Sequence, residues 1–124
     1  MAQVLVEGRR PTEFVMSEAN FHRSRDNIVI AAGAGKLIPG TVVGKVTASK
    51  KYLGSATTAT DGSETASAII LYGVDATDAD AEVAAITRDA EVNGNILTYD
   101  ASVTAAADKT TKIASLAEAG IIVR

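Results

Sequence analysis

Short apolar runs separated by turn-forming residues fill the stretch from Gly40 to Asn93, and this pattern constrains the fold more than any other feature of the chain. GTVVGKVT, ASAIILY and EVAAIT are each too short for a helix. Clusters such as ATDGS and DATDAD divide them, which describes several short strands in one compact all-β body. Thr41 to Thr47 alternates, with Val42, Gly44 and Val46 on one side and Val43 and Lys45 on the other, the period of a half-buried strand. Ala66 to Tyr72 is almost continuously apolar or small, as a strand covered on both faces would be. Asn27 to Ala31, Glu82 to Thr87 and Ile96 to Tyr99 read as further strands, with Ala32 to Gly35 and Asn93-Gly94 as turns. Gly54 to Thr65 reads as an exposed, flexible loop.

The pattern changes near the end of the chain. Thr104 to Ala119 reads as one helix with Ile113, Leu116 and Ala117 on its apolar stripe, an Asp108 to Lys112 pair four apart, and Gly120 in the C′ position. Ile121 to Val123 closes as a short strand. The expectation is a mainly β body at residues 27–124 with one C-terminal helix.

Residues 1–26 are of different make. They hold both phenylalanines, both methionines, the one histidine and four of the six arginines. Such residues are enriched where proteins bury themselves against partners, so this segment reads as an extended N-terminal arm that binds elsewhere. Val4, Leu5 and Val6 form a strand seed within it, Arg9 and Arg10 follow, and Phe14, Met16 and Phe21 are the large apolar anchors. The alternative is that Phe14 and Phe21 complete the chain's own core.

Composition excludes several functions. Aromatic residues make up 4% of the 124 and tryptophan is absent, so the core rests on small aliphatic side chains. A subunit of this kind gains from neighbours. A net charge of -3 argues against a nucleic-acid partner. Without cysteine there is no disulfide or thiolate metal site, and no apolar run reaches the length of a membrane span or signal peptide. Synthesis in a host or cell cytoplasm is the expectation.

Motifs for chemistry are incomplete. GAGAGKL ends in Gly35-Lys36 but has Ile30 and Leu37 where a phosphate loop requires glycine and a hydroxyl. Asp78, Asp80 and Glu82 alternate like calcium ligands, yet Val83 and Asp89 occupy the positions of the obligatory glycine and glutamate. Ser24, His22 and Asp26 are too close in sequence to assemble as a triad. No catalytic, metal or cofactor site is expected.

The order of segments resembles a known family. Ser24-Arg25-Asp26, Gly40-Thr41-Val42, Asp61-Gly62-Ser63, Ile69-Ile70-Leu71 and Arg88, followed by an Ala/Asp/Lys/Thr-rich helix and an apolar strand, resemble the lambda-type bacteriophage head decoration proteins across roughly Arg25 to Val123. The resemblance implies a β-clip-like body and a non-enzymatic homotrimer on the outer surface of the virion. It also implies attachment to the major capsid protein at threefold positions of the expanded head through the arm. Two rival readings are a structural part of a tail or baseplate, and a small trimeric β enzyme that would have to use Asp75 or Asp100 with Tyr99.

Overall fold

The computed structural model describes residues 3–124, except for the side chain of Phe21. Five strands close a small barrel: β2 (Arg25–Ile30), β4 (Val42–Lys45), β5 (Tyr52–Gly54), β6 (Ala66–Ile70) and β8 (Ala81–Ile86), in the order β2-β5-β4-β6-β8. The pairings are antiparallel except at the closure, where Ile30 meets Tyr52 in parallel. Beside the barrel, β1 (Val15–Glu18), β9 (Ala90–Val92) and β10 (Ile121–Val123) form a three-stranded sheet with β9 in the middle. A two-stranded ribbon, β3 (Gly35–Leu37) with β7 (Val74–Ala76), and one helix, α1 (Ala106–Glu118), complete the described elements. The mainly β body with a C-terminal helix expected from the sequence is therefore observed.

Two apolar clusters explain why short strands suffice. Alternate side chains of the barrel strands, Ile28, Ile30, Val43, Ala68, Ile70, Val83 and Ala85, pack together with Ala76. The intervening side chains Val42, Ile69 and Ile86 face the other way and, with Ala66 beyond the β4–β6 register shift, form a cluster that includes Leu116 of α1, Val92 of β9 and Ile121 of β10. Each central strand thus contributes to two cores. That is why Val42 and Val43 are both fully buried, although neighbouring residues of a half-buried strand should differ. The register shifts between Val43 and Gly44, and only glycine fits there: a Cβ on Gly44 would lie 2.0 Å from the Ser63 carbonyl oxygen.

Several local expectations change. Ile96 to Tyr99 is not a ladder strand; a 3-10 turn at Gly94–Ile96 leads into a chain held by a single bridge between Thr98 and Thr41. Asn93 alone divides β9 from this turn and caps it, its side chain accepting from the Asn95 amide. The loop at residues 55–65 is tied down, with Ser55 and Ser63 buried, Asp61 accepting from the Ser63 amide and hydroxyl, and Thr57 bonded to Ser102. In α1, Leu116 is buried as expected and Gly120 takes a φ of 91° at the C′ position. Lys112, however, turns inward. Its ammonium donates to the carbonyls of Glu64 and Ala56 instead of facing Asp108 as a solvent-exposed pair.

Candidate functional site

The N-terminal segment separates into a free part and an anchored part. Residues 3–10 form no helix or strand and, among the described residues, make no hydrogen bond to the body past Glu13, and Val4, Leu5 and Val6 are 85%, 83% and 91% exposed. Three consecutive aliphatic side chains so exposed cannot be stabilised by the body's own core. Arg10 pairs with Glu7 at 2.6 Å, and Arg9 approaches Glu13 at 3.9 Å. The two arginines therefore neutralise acids of their own segment, with the Glu7 carboxylate raising the Arg10 guanidinium above its ordinary value.

The free part ends at Pro11-Thr12. Thr12 adopts a φ of 64°, rare for a β-branched residue, and its amide donates to the Leu71 carbonyl at 3.0 Å. Beyond this fixed root the chain belongs to the body. Phe14 is fully buried, packed in the cluster of Val42, Leu97, Leu116 and Ile121, and its carbonyl accepts from the Asn93 amide. Strand β1 then pairs antiparallel with β9. The arm read from the sequence as residues 1–26 is in the structure a free segment that stops near residue 10, and Phe14 is a core residue instead of an exposed anchor. Met16 is 59% exposed on β1, an edge strand, and remains available to a partner. Phe21 lies in a 3-10 turn (Phe21–Arg23), and its side chain is outside the described set.

The short motifs of the sequence prove to be points where the fold is fastened. Glu18 at the end of β1 accepts from the Ser24 hydroxyl at 2.7 Å and from Arg25 Nε at 2.9 Å, linking β1 to β2. Arg25 holds the Glu18 carboxyl below the usual carboxylate range against an opposing effect of partial burial, and Ser24 adds to the lowering. Asp26 accepts from Arg88 at 2.7 Å and from Thr87 at 2.9 Å, joining β2 to the segment after β8. Ser24 and Asp26 are thus engaged with partners other than His22, which is exposed.

Acidic side chains of the rival readings are likewise engaged in local structure. Asp75 accepts from the Thr77 amide and hydroxyl, which hold its carboxyl low, and Asp100 accepts from the Ser102 amide and hydroxyl. Asp80 pairs with Lys51 at 2.5 Å and accepts from the Ala32 amide. Among the described residues no three His, Cys, Asp or Glu side chains gather as metal ligands, and no helix is long and apolar enough to cross a membrane. One groove of about 480 Å3 runs between α1 and the chain at Gly94 to Tyr99, with Lys109 over the Tyr99 ring at 5.9 Å. The feature left over is an exposed apolar segment, Val4 to Val6, that leads into a root fixed to the body at Thr12.

A family model described as bacteriophage lambda head decoration protein D matches residues 4–121. No curated protein matches the chain significantly.

Proposed function

The chain belongs to the bacteriophage lambda head decoration protein D family, and from that membership we propose that it decorates the phage head as a homotrimer, bound at threefold positions of the expanded capsid through its N-terminal arm. The role is structural, without catalysis. One observation carries the attachment reading: Val4, Leu5 and Val6 stand almost wholly exposed on a segment without helix or strand while Thr12 and Phe14, a few residues later, are fixed to the body. An extended segment with unpaired main-chain groups adds readily to a sheet edge, its amides and carbonyls giving affinity and its alternate side chains giving specificity. The major capsid protein is the partner in this reading.

A threefold arrangement suits such an arm. Each segment pays an ordering cost of roughly 1–2 kcal/mol per residue fixed, so a single arm binds weakly. Three arms on one trimer turn the second and third contacts into intramolecular events and slow release. Met16, Ile38 and Tyr72 add exposed apolar surface to the body.

The test removes residues 1–10 and follows binding to expanded phage heads together with melting temperature and mass in solution. The expected result is an unchanged melting temperature, a trimeric mass and lost head binding. Retained binding by the truncated protein would move attachment onto the β body, and a monomeric mass at micromolar concentration would remove the trimer from the proposal. Val4→Asp is the single-residue version, since a charge on the strand seed should weaken binding while the body stays folded.

A further inference from the structure

The Asn93-Gly94 pair has a chemical liability that the fold holds in check. Glycine after asparagine lets the following amide nitrogen approach the side-chain carbonyl without steric hindrance. In mildly alkaline water the Gly94 nitrogen gives up its proton to hydroxide and attacks Cγ of Asn93. The N–Cγ bond forms, the Cγ–Nδ2 bond breaks, and ammonia leaves after taking a proton from solvent. Water then opens the cyclic imide at either carbonyl, leaving aspartate or isoaspartate at position 93.

The attacking nitrogen and the side-chain oxygen of the attacked amide are both held here. Gly94 N donates to the main-chain oxygen of Arg124 at 3.0 Å, and Asn93 N donates to the Phe14 carbonyl at 2.8 Å. The Asn93 side-chain oxygen accepts from Asn95 N at 3.0 Å. With ψ at 107°, the Gly94 nitrogen lies on the side of the Cα–C bond away from Cβ, so the five-membered ring cannot close until that peptide plane rotates. Rotation is blocked by β10: a Cβ added to Gly94 would lie 2.7 Å from Val123 Cγ1, which shows how closely the last strand covers this residue. Solvent is nevertheless near, since Asn95 is exposed and Asn93 and Gly94 are only half-buried. The restraint is one of geometry and hydrogen bonding, with water already at hand.

We propose that Asn93 is a latent modification site, held closed by the docking of β10 and converted to aspartate or isoaspartate when β10 leaves β9. The conversion is irreversible, so it accumulates as a record of openings. Isoaspartate also places an extra methylene in the main chain at the residue bonded to Phe14, between β9 and the segment that roots the arm, and puts a new negative charge close to Glu91. An opened and modified molecule therefore does not close to the same β1-β9-β10 register.

The test follows residue 93 by peptide mass spectrometry with separation of the aspartate and isoaspartate forms, in the full chain at mildly alkaline pH, folded and in concentrated urea. Exchange of the Gly94 amide is measured alongside. The folded chain should convert at least about tenfold more slowly than the unfolded chain, equivalent to about 1.4 kcal/mol of opening, with Gly94 protected. Ile121→Ala, which weakens the buried anchor of β10, should speed amide exchange and conversion together. If that variant does not fold, Glu91→Ala serves instead, since it removes the exposed 2.8 Å contact between Glu91 and Arg124. Equal rates in the folded and unfolded chain overturn the proposal. So does a folded variant in which Gly94 exchange accelerates while conversion at Asn93 does not.

Discussion

At the scale of single residues, the change from exposed segment to buried core falls between Val6 and Phe14. Phe14→Ala should lower stability by about 3–5 kcal/mol, the usual cost of emptying a buried aromatic site, seen as a shifted denaturant midpoint. Val6→Ala, on a side chain that is 91% exposed, should leave the midpoint unchanged. This difference was not legible in the sequence. Composition shows that Phe14 will be buried but not whether a partner or its own chain buries it, because Val42, Leu97 and Leu116 meet it only after long excursions of the chain. Glu18 supplies the pH dependence. Its carboxyl is held low by Arg25 and Ser24 in the folded state, so it stabilises above the ordinary glutamate value of about 4.3 and this stabilisation is lost as pH falls through its folded value. Glu18→Gln should lower stability at neutral pH and flatten the loss below about pH 4.3; equal acid slopes in the two proteins would contradict the coupling. Asp75, Asp80 and Glu91 are also held low, so the variant reduces the slope without abolishing it.

At the scale of elements, periodicity was informative where one environment decided the pattern. Ala66 to Tyr72 announced β6 because both its faces meet apolar neighbours, and Leu116 with Gly120 announced the body and end of α1. It failed where two environments competed. Val43 shares its side of β4 with the exposed Lys45, yet the barrel strands meet at Val43, and closure of a sheet on itself cannot be read from one strand. Lys112 is the second case: Asp108 four residues earlier suggests a surface pair, but the acceptors that draw the ammonium inward are main-chain oxygens of Ala56 and Glu64, some fifty positions away. Burial pushes the Lys112 ammonium below the ordinary lysine value, while Glu64, Asp100 and Asp108 act in the opposite sense. Lys112→Met keeps the length of the side chain and removes the donor. It should speed amide exchange across residues 55–65 and leave β8 and β9 protected, because the lysine joins the loop to the helix without touching those strands. Uniform acceleration throughout the chain would show instead that the loop and the barrel open as one unit.

At the scale of the whole molecule, the two ends of the described chain clasp the same strand, with β1 on one side of β9 and β10 on the other. Removing residues 1–20 should therefore abolish cooperative folding, since it takes away β1 and Phe14, whereas removing residues 1–10 should not; circular dichroism melts of the two truncations check this. The same layout decides what happens when the molecule is pulled. A tug on the arm reaches the body first through Thr12 and its bond to Leu71, then through β1, which runs antiparallel to β9. Drawn along the strand, the rungs between β1 and β9 carry the load side by side and yield together; peeled away from the sheet, they fail one after another. A pull on the arm directed along β1 thus meets the protein in its mechanically strong direction, while sideways peeling meets the weak one.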